Sequence, residues 1–485
     1  MRTALTLLFR GMNTVPGKRA AAVADPSATG SLCPVCLRKL AAERRPEGAD
    51  VYLVKECPEH GLFRSLIWRG TPAFSSWQRP KKPSPLPAPG TTIQQGCPFD
   101  CGLCPQHGQH TCTALIEITG RCNLHCPVCF ADAGGEGAEG DLSLERVAFL
   151  YERIRAASGI CNIQLSGGEP TLHRQLPAII RMGREKGFQF LQLNSNGLRL
   201  AEEAGFAQGL QAAGLSSVFL QFDGCSAASH LALRGRDLRA IKEKAIQNCA
   251  AAGLGVVLVP TLVPGVNTEE LGDIINYGLA HAPAVRGVHF QPISYFGRYS
   301  GQAGDAHKRL TLPELLRFLE KQGGGALLAS HFAPPACEHA LCSFHANFLI
   351  TEEGGLTPLG AGSLSCCSSA APPLQPFPAL EGRQKSVAFT ARQWGPAAPA
   401  HKDAGEEDAE TGRPQDDFDR FLARARTHTF AISAMFFQDA WNLDLERLRG
   451  CCIHVAAPDG RLIPFCAYNL SAADGTPLYR GRHLA

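Results

Sequence analysis

Cys122, Cys126 and Cys129 share one short stretch with the spacing C-x3-C-x2-C. Three thiolates so placed suit an iron-sulfur cluster, which usually takes four protein ligands; three leave one iron free to bind another molecule. Zinc is the alternative, closing with four Cys or His ligands. A second C-x3-C-x2-C, Cys97, Cys101 and Cys104, lies just upstream. It is expected to be an auxiliary 4Fe-4S site completed by Cys112, again with zinc as the alternative. Cys33-Pro-Val-Cys36 and Cys57-Pro-Glu-His60 pair like two metal knuckles, and a Cys3His set suits zinc or a rubredoxin-like mononuclear iron. Zinc there would be structural, whereas iron would permit electron transfer. Near the C-terminus Cys337, Cys342, Cys452 and Cys466 are the expected quartet for another cluster. One member each of Cys451-Cys452 and Cys366-Cys367 is expected to be a spare or reactive thiol.

These ligands need a frame. From Ala114 to Gln291 short apolar runs alternate with longer amphipathic ones, the pattern of βα units around a parallel sheet. Strands are expected at Ala114 to Ile118, Asn162 to Leu165, Phe188 to Leu193, Ser217 to Phe222, Gly255 to Leu262 and Gly287 to Gln291. Helices such as Leu144 to Ala157, Ala201 to Ala213 and Arg236 to Ala252 make right-handed crossovers between them. The expected fold class is α/β, a partial (βα)6 TIM-like barrel flanked by cysteine-rich N- and C-terminal metal-binding regions. The Cys122 triplet follows the first strand and so lies at the C-terminal mouth, where active sites of such barrels sit.

Other residues reach the same mouth. The second strand ends in Ser166-Gly167-Gly168-Glu169-Pro170, whose glycines permit close backbone approach to a ligand and positive φ. Asn194 and Asn196 follow the third strand and Asp223 the fourth; both sites suit sugar hydroxyls or a carboxylate, though Asn and Asp are common in turns anyway. Arg234 carries a planar fork that matches a carboxylate.

The chain divides by composition into residues 1–78 (metal knuckles), 79–94 (proline-rich linker), 95–112 (auxiliary cluster), 113–300 (barrel) and 301–369 with 418–485 (C-terminal cluster region), with 370–417 as a disordered linker. With 45% hydrophobic and 19% charged residues and a net charge of +3, the chain reads as globular and lacks the basic footprint of a nucleic-acid binder. No signal peptide is recognisable in the first residues, and the longest apolar stretch, Leu254 to Val266, holds two prolines and falls short of a transmembrane helix. A cytoplasmic protein, free of disulfides, is expected.

The string Glu117-Ile-Thr-Gly-Arg-Cys122-Asn-Leu-His-Cys126-Pro-Val-Cys129-Phe-Ala resembles the signature of the radical S-adenosylmethionine (SAM) superfamily, and Gly167-Gly168-Glu169-Pro170 resembles its GGEP motif. The resemblance implies a catalytic 4Fe-4S cluster on the Cys122 triplet and SAM chelated at the open iron. It also implies anaerobic chemistry, a substrate that loses hydrogen to a 5'-deoxyadenosyl radical, and a reducing donor such as flavodoxin or ferredoxin. One or two auxiliary clusters and the mononuclear zinc or iron complete the cofactors. CPVC with CPEHG, QGCPFDCGLC and CIHVAAPDGRLIPFCAYN extend the resemblance to the tetraether lipid synthase-like branch, and among bacterial members to TrsS-type radical SAM (seleno)proteins, which implies a co-encoded methyltransferase as partner. Carbon-carbon bond formation or methylation are the reactions implied. The competing reading is a multi-cluster electron-transfer protein without SAM chemistry.

Overall fold

The computed structural model describes residues 27–84, 86, 90–134, 140–299, 308–359, 376–396 and 424–481. Its first unit is an antiparallel sheet of β1 (Ala28–Leu32), β2 (Lys39–Glu47), β3 (Asp50–Cys57) and β4 (Gly61–Arg69). Two tight turns between these strands carry the knuckle residues, while Leu53, Leu66 and Trp68 are wholly buried beneath. The short β5 (Lys81–Lys82) follows.

Six parallel strands then run in chain order: β6 (Thr113–Thr119), β7 (Asn162–Gly167), β8 (Leu191–Ser195), β9 (Ser217–Gln221), β10 (Gly255–Val259) and β12 (Val285–Pro292), with β11 (Thr261–Leu262) also paired to β12. The helices between them are α1 (Leu144–Ser158), α2 (Leu176–Glu185), α3 (Leu198–Glu202), α4 (Phe206–Ala212), α5 (Ala227–Arg234), α6 (Arg239–Ala251) and α7 (Leu271–Ala280). This is the expected partial TIM-like barrel. The helix expected over Ala201 to Ala213 is broken in two, because Gly205 sits at φ 75°, where the left-handed backbone ends one helix and starts the next.

The C-terminal part does not stand apart from this sheet. After α8 (Leu312–Gln322), β13 (Ser343–Ile350), β14 (Leu356–Leu359), β15 (Phe377–Pro378) and α9 (Ala379–Trp394) come β16 (Thr429–Met435), β17 (Ile453–Ala456) and β18 (Leu462–Pro464). β16 joins β12 in parallel and β17 joins β6 in parallel, so eight parallel strands run β17-β6-β7-β8-β9-β10-β12-β16. The edges are covered by the antiparallel β13 and β18. Both β16 and β17 lie beyond the segment read as a linker, and their short apolar runs look like isolated strands until the sheet supplies a neighbour.

Helix α9 corrects the reading of 370–417 as disordered throughout. Its sequence has weak apolar periodicity, and tertiary contacts hold it instead. The buried Arg383 donates from Nε to Thr111 O (2.8 Å) and from Nη2 to Ser158 O (2.8 Å) and Ile160 O (2.5 Å), all at the N-terminal end of the barrel. Arg286 Nε donates to Gln393 O at 3.0 Å, and a Cβ on Gly382 would stand 2.4 Å from Ala336 O. Thus α9 closes the barrel floor. Among the described residues no helix is long and apolar enough to cross a membrane.

Replacing Arg383 with Met keeps the length of the side chain but strands three carbonyls, those of Thr111 and Ser158 buried. Hydrogen bonds to charged groups contribute about 1.5–3 kcal/mol each, so losing three is expected to cost on the order of 4–5 kcal/mol, read as a lower denaturant midpoint. An unchanged midpoint would show that α9 is held by other means.

Candidate active site and metal centres

The loop carrying Cys122, Cys126 and Cys129 is fixed mainly by its backbone, and none of the three thiols is tied up in a disulfide. A Cβ on Gly167 would lie 2.1 Å from Thr119 O and one on Gly168 2.3 Å from Arg121 O, so only glycine lets the β7 turn lie against the loop. Across that contact Gly168 N donates to Thr119 O and Glu169 N to Arg121 O, both at 2.8 Å. On the far side Cys129 and Arg298 exchange backbone hydrogen bonds of 2.8 and 2.9 Å, and Arg298 Nε donates to Cys126 O at 2.8 Å. Arg234 Nη1 reaches Val128 O at 2.9 Å. Burial pushes the Cys122 thiol up to about 11, with the charges of Glu169, Cys126 and Cys129 adding to the effect. A bound cation is what would draw its proton off.

Around this loop lies a web of satisfied polar groups. Glu169, 1% exposed, accepts from Thr171 Oγ1 (2.6 Å), Ser195 Oγ (2.9 Å) and Asn196 N (2.7 Å), tying the GGEP turn to the end of β8. Burial raises its carboxyl despite these bonds. Asn196 Nδ2 donates to Asn123 Oδ1 inside the cysteine loop at 2.7 Å. Asp223 is fully buried and takes the Arg234 fork bidentately at 2.7 Å and 2.7 Å. The fork expected to grip a ligand carboxylate is therefore occupied from within. Lys242, also buried, bonds Gln221 Oε1 at 3.2 Å; burial brings its ammonium down to about 8, against the pull of Asp223.

Loop and web open onto one cavity of about 270 Å³. Strand geometry explains its lining, since alternate residues face the barrel interior: Gln164 and Ser166 from β7, Phe219 and Gln221 from β9, His289 and Gln291 from β12. Cys122, Cys126 and Cys129 stand at its mouth, and Ser386, Thr390 and Trp394 of α9 at its floor. Asn194 Oδ1 faces this space buried and without a partner, a vacancy in hydrogen bonding that a bound polar ligand would fill. The donor set of three thiols, the glycine cradle and this orphan oxygen fit a cluster with SAM at the mouth. Arg298, Lys242 and α9 had no motif in the sequence; Arg298 was detectable only as a residue following a strand end.

The other cysteines assort differently from their expected groups. Cys33, Cys36, Cys57 and His60 bring four ligand atoms within 4.8 Å of one another, with Cys57 Sγ 3.4 Å from His60 Nδ1. Burial opposes ionisation of Cys57, but hydrogen bonds from His60 and nearby amides outweigh it and bring the thiol down to about 6. Cys97 and Cys101 adjoin each other, and Cys104 lies close enough to raise the Cys101 thiol. Cys112 is not with them. It lies 3.1 Å from Cys452, and these two with Cys337 form a buried three-thiol group. The expected quartet of Cys337, Cys342, Cys452 and Cys466 is accordingly split. Cys342 and Cys466 lie together beside Arg447, which donates to Cys342 Sγ at 3.3 Å, and Cys451 lies by them. The vicinal pair thus divides between two groups, because β17 brings Cys452 against β6 while Cys451 remains on the other side. Cys366 and Cys367 lie outside the described residues.

A model described as the radical SAM superfamily matches residues 116–278, and one described as the HMPTM N-terminal zinc ribbon domain matches residues 26–69. The chain belongs to the radical SAM superfamily, as a full-length relative also attests. That relative is the 7,8-dihydro-6-hydroxymethylpterin dimethyltransferase of Methanocaldococcus jannaschii, 34% identical over 481 residues that cover 91% of this chain and 93% of the relative. The probable GTP 3',8-cyclase of Methanothermobacter thermautotrophicus is 28% identical over 173 residues, 36% of this chain and 55% of that one. Among solved structures, Streptococcus suis SuiB bound to S-adenosylmethionine matches 44% of this chain and 47% of its own at 12% identity and a TM-score of 0.37.

The glycine cradle makes a sharp test. Gly168→Ala should displace Arg121 and with it Cys122, so that iron content falls by one cluster. Gly209→Ala on α4, where an added methyl meets nothing within 4 Å, should keep full iron. Equal iron in both variants would refute the need for the close approach.

Proposed function

We propose that the protein is a radical SAM methyltransferase of a reduced pterin, 7,8-dihydro-6-hydroxymethylpterin or a close analogue. The observation that carries this reading is the full-length relationship to a dimethyltransferase of that pterin, joined to a cavity that runs from three unbridged cysteines to a polar and aromatic interior. Radical SAM enzymes use a 4Fe-4S cluster and SAM; when bound, the reduced cluster would give SAM the one electron that splits it into methionine and a 5'-deoxyadenosyl radical able to take hydrogen from the substrate, with the new methyl group drawn from a second SAM or another one-carbon donor.

In this reading Cys122, Cys126 and Cys129 hold the catalytic cluster, and Ser166 with the Gly167-to-Pro170 turn borders the methionine end of SAM. Asn194 offers its open oxygen to the SAM amino group or a ribose hydroxyl. Asn196 and Glu169 hold the cysteine loop in register. Asp223 and Arg234 act as a buried brace that supports Val128, and not as direct carboxylate ligands. The enclosed barrel excludes water, which protects a reactive radical from side reactions. Cys97, Cys101 and Cys104 hold one auxiliary cluster. Cys112, Cys337 and Cys452 form a second metal-binding group, and Cys342, Cys451 and Cys466 a third. The Cys33, Cys36, Cys57 and His60 knuckles hold zinc, in keeping with the zinc ribbon match. A cytoplasmic flavodoxin or ferredoxin is the proposed electron donor, and a co-encoded methyltransferase the proposed partner.

Changing Cys122, Cys126 and Cys129 together to Ala should abolish 5'-deoxyadenosine formation under dithionite and the SAM-induced change in the electron paramagnetic resonance spectrum. The Cys97, Cys101 and Cys104 triple variant should lose one cluster yet retain both. The reverse pattern would assign the catalytic cluster to the wrong triplet. With the dihydropterin and, in parallel, excess SAM or a methylene-carrying reduced folate as one-carbon donor, mass spectrometry should find one and two added methylene equivalents; unchanged pterin with every donor beside intact SAM cleavage would move the substrate elsewhere.

A further inference from the structure

At the inner end of the cavity three rings from separate elements touch. Phe219 of β9 and His289 of β12 have centroids 5.3 Å apart, and Trp394, the last residue of α9, lies 5.5 Å from Phe219 and 5.6 Å from His289. All three line the same space as the cysteine triplet. Beside them, Ser386 and Thr390 precede Trp394 by eight and four residues on one face of α9, the spacing at which helical side chains stand in a row. Arg383 and Gln393 anchor this helix to the barrel, so the row has a fixed place.

We infer that Phe219, His289 and Trp394, with Ser386 and Thr390 alongside, form the subsite that takes the flat ring of the substrate, so that α9 is part of the substrate site. The inference rests on the cavity and deepens the reading of a pterin substrate. A planar heterocycle needs an aromatic surface for its face and hydrogen-bonding groups for its edge. The wall supplies the first. For the second, His289 Nδ1 is engaged with Ser433 Oγ at 2.8 Å, which leaves Nε2 for a ring nitrogen or carbonyl. Burial keeps this imidazole neutral, lowering its pKa to about 3, so it can donate or accept according to tautomer. Gln291 faces the same space from two residues further along β12. A long alkyl chain would fit the rings but would offer nothing to Gln291 or the two α9 hydroxyls that line the same space, and burying an unpaired polar group costs roughly 1–3 kcal/mol each.

The test is an anaerobic binding titration of the cluster-loaded, full-length protein, using 7,8-dihydro-6-hydroxymethylpterin and, separately, guanosine as a planar non-pterin probe. Trp394→Ala should weaken pterin binding about tenfold, the loss expected for one aromatic contact plus its buried area. Trp394→Phe should stay within about threefold of the parent. Iron content and unfolding midpoint serve as controls for folding. Thr390→Leu, which fills the cavity one turn earlier on the same helix face, should weaken binding too and covers the case in which Trp394→Ala fails to fold. Well-folded Trp394→Ala and Thr390→Leu proteins that bind the pterin like the parent would overturn the subsite. So would a parent protein that binds neither probe. A parent that binds guanosine with this Trp394 dependence, but not the pterin, would uphold the subsite and overturn the pterin reading alone.

Discussion

The contact on which the site depends is between two backbones. Thr119 to Arg121 at the end of β6 and Gly167-Gly168 at the end of β7 approach so closely that a single methyl on either glycine would overlap a carbonyl oxygen. Neighbouring strands in a parallel sheet lie about 4.8 Å apart, and here their departing loops keep that proximity instead of splaying. The consequence is a cysteine loop whose shape is set chiefly by backbone contacts. Glu169 extends the constraint sideways, since one carboxylate collects donors from its own turn and from Ser195 and Asn196. Removing one partner of such a network leaves buried groups unpaired, which is why networks of this kind hold a single geometry.

The metal knuckles are joined to the rest by the same means. Arg44 of β2 forms a two-pronged ion pair with Asp444 at 2.8 and 3.1 Å, and Ser31 donates to Leu443 O at 2.6 Å. Lys55 lies buried between the two units and donates to Ser31 Oγ and Ala440 O; burial brings its ammonium down to about 7. A buried charge is stable only when paired or well hydrogen-bonded, so this interface is specific in orientation. The segment that receives it, 438–449, carries Arg447, which reaches Cys342 of the Cys342, Cys451 and Cys466 group. Metal binding at the N-terminus and thiol placement near the C-terminus are therefore parts of one packed body.

Local patterns made the barrel legible. Each of its six strands is a short apolar run followed by an amphipathic stretch, and the triplet and GGEP turn lie where two of those runs end. Other features depend on sequence-distant partners. Arg383 marks no helix until Thr111, Ser158 and Ile160 present their carbonyls to it. Cys112 looks like a neighbour of Cys104 by sequence, yet β17 carries Cys452 to it across 340 positions. Arg234 has the right chemistry for a ligand carboxylate, and the sequence gives no hint that Asp223, eleven residues earlier, already occupies it. Spacing along a chain finds ligands that share a loop; it does not find those that share a sheet edge. Placement beside the tetraether lipid synthase-like and TrsS-type proteins rests on sequence motifs alone.

Helix α9 gives the barrel a floor that is not made by the barrel. In a closed eight-stranded barrel, layers of side chains from the strands themselves fill the interior, and any change of depth means repacking the sheet. Here the lower boundary arrives on a separate helix, fastened through Arg383 and Arg286 to backbone carbonyls and packed through Trp394 against Phe219 and His289. The side chains it turns inward can vary while those fastenings stay. Chamber depth thus depends on a helix that lies outside the barrel strands, so that exchanging its inward-facing side chains alters the depth without altering the strands that carry the cysteine loop.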